Sequence, residues 1–216
     1  MSTLDDNRRA RVRAFKDPTR VATWANVITV GRILLAPLLF AIIPDDGGSW
    51  PAVALWFVLC ASDFLDGWLA RRDGITRAGA YLDPLADKVL VLGAMFMLVA
   101  NGAFWWLPVA IIATRELGIS LYRTLAGAKG ISIPAWRLAK WKTVAQQLAV
   151  GFVLLPLTYD MEWLWQATLW LAVVLTVVTG IRYLLAARRI AAEQRAAVAQ
   201  GRPIEPPAVD PLAGPD

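Results

Sequence analysis

The chain has 216 residues, of which 57% are hydrophobic, and a mean hydropathy of +0.50. That is too apolar for an ordinary soluble domain and marks an all-α integral membrane protein. The net charge of +5 reads as a topology signal with anionic membrane lipids as partners and no nucleic acid, while the absence of histidine excludes His-ligated zinc and a His general base. The single cysteine, Cys60, excludes an intramolecular disulfide.

Residues 1–20 contain Arg8, Arg9, Arg11, Arg13, Lys16 and Arg20 and read as a basic juxtamembrane arm. The arm either lies on anionic lipid or is a solvated run that only sets topology. A membrane domain follows over residues 21–190. Six apolar stretches there are long enough to span: Trp24 to Ile43, Trp50 to Arg71, Leu82 to Ala100, Phe104 to Leu125, Leu138 to Leu157 and Trp163 to Leu185. Of the 22 basic residues, six precede the first stretch, three lie between residues 71 and 82, five from Arg123 to Lys142 and five from Arg182 onward, with Arg32, Lys88 and Arg115 inside spans, and the intervening connections carry Asp45, Asp46, Asp160 and Glu162. The positive-inside rule then predicts six transmembrane helices with both termini cytoplasmic.

The first stretch places Asn26, Thr29 and Arg32 at i, i+3, i+6, on one stripe. Facing lipid, that stripe is costly, so it is expected to face a polar chamber; the alternative is an Arg32 that snorkels or pairs locally.

The second and third stretches carry the main chemical signal. Asp63 and Asp66 stand three apart, Asp83 and Asp87 four apart, so on helices each pair projects from one face. A helix ending near Arg72 and another starting near Ala80 put both pairs roughly 6 to 15 Å below one membrane surface. Four carboxylates in a low dielectric require a cation among them. Hard oxygen donors suit Mg²⁺ or Mn²⁺, the former usually shared with substrate phosphates. Gly67 and Ala70 give a ligand room to approach the backbone, or equally allow close helix packing. Arg71, Arg72, Thr76 and Arg77 form a rim suited to phosphates. Pro84 is expected in the first turn of the third helix.

The fourth stretch holds Arg115 and Glu116 at depth and Arg123 nearer the cytoplasm, and Lys140 and Lys142 open the fifth. Arg115, Arg123, Lys140 and Lys142 make a basic wall suited to an anionic acceptor, the alternative being interhelical pairing through Arg115 and Glu116 together with ordinary positive-inside lysines. Tryptophans near the span ends, such as Trp24, Trp50, Trp105 and Trp163, read as an interfacial belt. Residues 191–216, with Pro203, Pro206, Pro207, Pro211 and Pro215, read as a largely disordered cytoplasmic tail.

The set Asp63, Asp66, Gly67, Ala70, Arg71, Gly79, Asp83 and Asp87 resembles the DxxDGxxAR and GxxxDxxxD signature of the CDP-alcohol phosphotransferases. The interval between Arg71 and Gly79 is one residue shorter than the family pattern, which touches the loop-borne Thr76 more than the aspartates. NVITVGR at the first helix, RELGISLYR from Arg115 and KWKTVAQQ from Lys140 resemble segments of the bacterial phosphatidylglycerophosphate synthase branch. The resemblance implies a six-helix homodimer in the cell membrane with its site facing the cytoplasm. It further implies two divalent ions held by Asp63, Asp66, Asp83 and Asp87, with Asp87 as proton acceptor. CDP-diacylglycerol would be bound through Gly67, Ala70, Arg71, Thr76 and Gly79, with Asn26 and Thr29 as further candidates. Glycerol 3-phosphate is the acceptor implied, with its phosphate assigned on chemical grounds to Arg115, Arg123, Lys140 and Lys142. Inositol phosphate or phosphatidylglycerol remain alternative acceptors, and a membrane cation transporter is the alternative from another class.

Overall fold

The computed structural model describes residues 24–73, 77–128 and 138–200. Within them the chain forms six helices: α1 (Trp24–Ile42), α2 (Trp50–Asp73), α3 (Arg77–Ala100), α4 (Trp106–Ala128), α5 (Leu138–Leu154) and α6 (Glu162–Ala199), with no strand among the described residues. Their order follows the six apolar stretches. Residues 1–20, Thr76 and the tail beyond Gln200 lie outside the described residues.

Two compact units divide the chain. One takes α1, α2, α3 and residues 150–162; the other takes α4, residues 138–149 of α5, and α6.

In the first unit α1 packs against both α2 and α3. Its polar stripe points inward, with Asn26, Thr29 and Arg32 all buried, whereas Val27, Val30, Leu34 and Leu38 are exposed. A helix that hides its polar side and presents its apolar side reverses the pattern of a soluble bundle and suits a lipid surround. Ser49 caps α2, its Oγ accepting from the Ala52 amide at 3.3 Å, and the Ser49 amide donates to the Leu154 carbonyl at 2.8 Å. Gly48 in that connection has no room for a Cβ, which would stand 2.5 Å from the Pro156 Cα. At the end of α3, Gly102 adopts a φ of +79°, and the Phe104 amide returns to the Leu98 carbonyl at 3.0 Å. This closes the helix through a left-handed residue that only glycine adopts freely.

In the second unit α4 and α6 are linked by Tyr122 and Tyr183, packed edge to face with centroids 6.1 Å apart, and Trp105, just before α4, packs on Trp170 at 6.5 Å. Residues 162–190 of α6 form a segment long and apolar enough to cross a membrane; among the described residues no other helix reaches that length and hydropathy. The apolar part of α1 spans residues 26–42 and that of α2 residues 50–63, where Asp63 interrupts it. Charges placed inside the remaining helices, Arg115 and Glu116 in α4 for example, lower their hydropathy in the same way.

Three expectations change in detail. Helix α3 begins at Arg77, three residues before the expected start, so Pro84 lies in its interior and not in a first turn. There it leaves the Ala80 carbonyl without the usual helical donor. The connection between the aspartate helices correspondingly shrinks to residues 74–76, with Arg71, Arg72 and Gly79 on helices. Helix α6 continues to Ala199, nine residues into the segment read as disordered. Its alanine-rich sequence favours helix, and no proline occurs there before Pro203.

Candidate active site

Helix geometry fixes the depth of the four aspartates. Asp66 and Asp63 lie seven and ten residues before the end of α2 at Asp73, and Asp83 and Asp87 six and ten residues after the start of α3 at Arg77. At 1.5 Å per residue the two pairs stand about 9 to 15 Å from the short connection, at matching heights.

Helix α1 supplies their partners. Arg32, only 1% exposed, donates from Nη1 to Asp63 Oδ1 at 2.9 Å and from Nε to Ser62 Oγ at 3.2 Å. The Ser62 hydroxyl donates in turn to the Leu59 carbonyl at 2.7 Å, so the serine is oriented as an acceptor for Arg32. One turn earlier on α1, Thr29, fully buried, donates from Oγ1 to Asp83 Oδ1 at 2.7 Å. A single stripe of α1 thus touches one aspartate of each pair. Asp63 remains 36% exposed, and Asp83 and Asp87 are half-buried, so all three can still reach a ligand.

Asp66, Gly67, Ala70 and Arg71 lie on α2 and Gly79 on α3; their side-chain surroundings, like Thr76 as a whole, lie outside the described residues. Among the described residues no three metal-ligating side chains form a group by themselves, and Asp66 is not within that set. The four aspartates nevertheless fit a hard divalent cation, their donors being all carboxylate oxygen.

The second unit holds the other sequence candidates. Glu116 Oε1 accepts from Arg115 Nη1 at 3.1 Å and also from Lys142 Nζ. Arg115 Nη2 donates to Thr179 Oγ1 at 3.2 Å, and Gln146 Nε2 to Thr176 Oγ1 at 3.3 Å. These bonds tie α4, α5 and α6 together in their interiors. Arg123 and Lys140 are exposed. Between α4 and α6 a groove of about 680 Å³ is lined mainly by apolar residues, including Ile111, Ile119, Val177 and Leu184, with Arg115 also on its wall; the apolar lining suits lipid chains.

Ser62, Thr176 and Thr179 are the residues that pattern reading missed. Ser62 directly precedes Asp63, and that adjacency was its only signal. Thr176 and Thr179 stand three apart in an apolar run, a stripe as visible as that of Asn26 and Thr29.

Comparison with known proteins identifies the family. Residues 22–178 match the family model for CDP-alcohol phosphatidyltransferase. A protein of Mycobacterium tuberculosis named "Probable phosphatidylglycerophosphate synthase" is 35% identical over 176 residues, covering 79% of this chain and 84% of its own. The CDP-diacylglycerol--glycerol-3-phosphate 3-phosphatidyltransferase of Haemophilus influenzae is 34% identical over 170 residues, covering 74% and 91%. Its namesake in Escherichia coli is 35% identical over 169 residues, covering 75% and 93%. The matched region takes in α1 to α5, with all four aspartates, and the first part of α6. The chain therefore belongs to the CDP-alcohol phosphatidyltransferase family.

Proposed function

We propose that this enzyme transfers the phosphatidyl group of CDP-diacylglycerol to glycerol 3-phosphate, giving phosphatidylglycerophosphate and CMP in phospholipid biosynthesis. The observation that carries this reading is the match, over most of both chains, to transferases named for that pair of substrates. The gathering of Asp63 and Asp83 by α1 supports it.

Asp63, Asp66, Asp83 and Asp87 are the residues that would hold divalent ions, two Mg²⁺ or Mn²⁺. Bound there, the ions supply charge neutralisation for the diphosphate and the departing CMP. Gly67, Ala70, Arg71, Thr76 and Gly79 bind the CDP portion, with Asn26 alongside. Arg115, Arg123, Lys140 and Lys142 supply positive charge for the acceptor phosphate, Arg115 and Lys142 also compensating Glu116. The acceptor hydroxyl oxygen forms a bond to the phosphorus that carries diacylglycerol. The bond from that phosphorus to the bridging oxygen breaks, and its electron pair leaves on CMP. Asp87 takes the hydroxyl proton, a role left to a carboxylate in a chain without histidine. Holding the reactants in line carries much of the rate.

The six helices span the cell membrane with both termini and the aspartates on the cytoplasmic side, a reading that the distribution of basic residues supports. The inverted burial of α1 supports lipid contact. The enzyme works as a homodimer.

The test is CMP release from CDP-diacylglycerol by purified protein with Mg²⁺ or Mn²⁺, comparing glycerol 3-phosphate, inositol phosphate, serine and phosphatidylglycerol. Release with glycerol 3-phosphate alone is expected. Release with a different acceptor would reassign the substrate, and no release with any of them would remove the transferase reading.

A further inference from the structure

We infer that Thr29 and Arg32 are positioning residues of the divalent-cation site, each fixing one carboxylate from one aspartate pair. The inference rests on the metal reading given above and deepens it. The family resemblance makes Thr29 a further candidate for the nucleotide, but its buried hydroxyl donates to the half-buried Asp83 Oδ1 at 2.7 Å. Arg32 donates to Asp63 Oδ1 at 2.9 Å and is itself held through Ser62. The two donors are three residues apart on one face of α1. A single rigid helix therefore sets the separation between a carboxylate of α2 and a carboxylate of α3.

The chemistry of such a site favours this arrangement. An aspartate side chain rotates about two bonds, and two of them on different helices must converge before a cation can bridge them. A hydrogen bond to one carboxylate oxygen fixes the rotamer and directs the other oxygen. Partners of this kind typically govern 10- to 100-fold of metal affinity. Arg32 has a second effect of opposite sign, because its positive charge repels a cation. If Arg32 acted only through its charge, its removal would tighten metal binding. If it acts by positioning Asp63, its removal weakens binding despite the lost repulsion.

The experiment measures Mn²⁺ affinity by electron paramagnetic resonance of free Mn²⁺, on the full-length purified protein without nucleotide, so that catalysis is not the readout. The variants are Thr29→Val, Thr29→Ser, Arg32→Met and Arg32→Lys, with Asp83→Asn as the ligand control. Thr29→Val keeps shape and loses the donor, and is expected to weaken Mn²⁺ binding about 10- to 100-fold. Thr29→Ser restores it. Arg32→Met is expected to weaken binding to a similar degree, and Arg32→Lys to recover part of it. Wild-type Mn²⁺ affinity in Thr29→Val, with a raised KM for CDP-diacylglycerol, would return Thr29 to the nucleotide site. Equal or tighter binding in Arg32→Met would reduce Arg32 to a counter-charge. If the wild-type protein and Asp83→Asn bind Mn²⁺ equally, or neither binds it, the metal reading itself falls. A wild type that binds, an Asp83→Asn that does not and unaffected Thr29 and Arg32 variants would overturn the positioning roles alone.

Discussion

Replacing Glu116 with alanine isolates the polar interior of the second unit. Glu116 is 12% exposed, and its Oε1 compensates two cations at once, Arg115 at 15% exposure and Lys142 at 8%. At 3.1 Å and an effective dielectric of about 20, the attraction between Glu116 and Arg115 is on the order of 5 kcal/mol. Much of this offsets the desolvation of the two charges. Removing the acid leaves that desolvation uncompensated, which costs about 3–5 kcal/mol for a buried pair. Arg115 keeps its bond to Thr179 at 3.2 Å, but its Nε is already buried without a hydrogen-bond partner among the described residues, so the penalty is shared by both cations. Glu116→Ala is therefore expected to lose about 3–5 kcal/mol, and the double variant Glu116→Ala with Lys142→Met to lose distinctly less than the sum of the single changes. A coupling of about 2–3 kcal/mol is expected in the double-mutant cycle. Unfolding in mixed micelles titrated with sodium dodecyl sulfate, followed by tryptophan fluorescence, gives these free energies directly. A Glu116→Ala protein within about 0.5 kcal/mol of wild type, or a strictly additive cycle, would refute the reasoning.

Three further outcomes are expected. Asp87→Asn should lower kcat for CMP release by about 10²- to 10⁴-fold with little change in fold by circular dichroism, since the amide cannot take the acceptor proton. Chelation with EDTA should abolish transfer and excess Mg²⁺ or Mn²⁺ restore it; activity persisting after exhaustive chelation would contradict the role given to the aspartates. Gly93→Ala should destabilise the first unit by about 1–3 kcal/mol, because a Cβ there runs into the Phe40 ring. Adding Phe40→Leu should relieve part of that loss in the same unfolding assay.

Helices and carboxylates were the features most legible from sequence. The six apolar stretches become α1 to α6 in order because hydropathy and helix period act locally, and the starts of α1, α2 and α5 fall where the stretches begin. The buried stripe of Asn26, Thr29 and Arg32 was also readable, because polar residues three apart in an apolar helix have few places to go. Which group each would touch was not, since the bonds from Thr29 to Asp83 and Arg32 to Asp63 cross 54 and 31 residues of chain. The limits of α3 and α6 were misread for a different reason. Helix propensity in the alanine-rich RRIAAEQRAAVA carried α6 beyond the hydrophobic segment that had defined its expected end, whereas the start of α3 at Arg77 lies in polar sequence that hydropathy does not mark. Local chemistry likewise left two roles open for Arg115 and Lys142, and their shared contact with Glu116 is a tertiary fact.

The most direct measurement is the appearance of label from radioactive glycerol 3-phosphate in chloroform-extractable lipid, using the purified protein, CDP-diacylglycerol and Mg²⁺ in detergent micelles. A labelled phosphatidylglycerophosphate formed one for one with CMP is expected, at least about 10²-fold slower in Asp87→Asn and absent without CDP-diacylglycerol. Label that stays in the aqueous phase while folded protein binds both Mn²⁺ and CDP-diacylglycerol would contradict the proposed transfer.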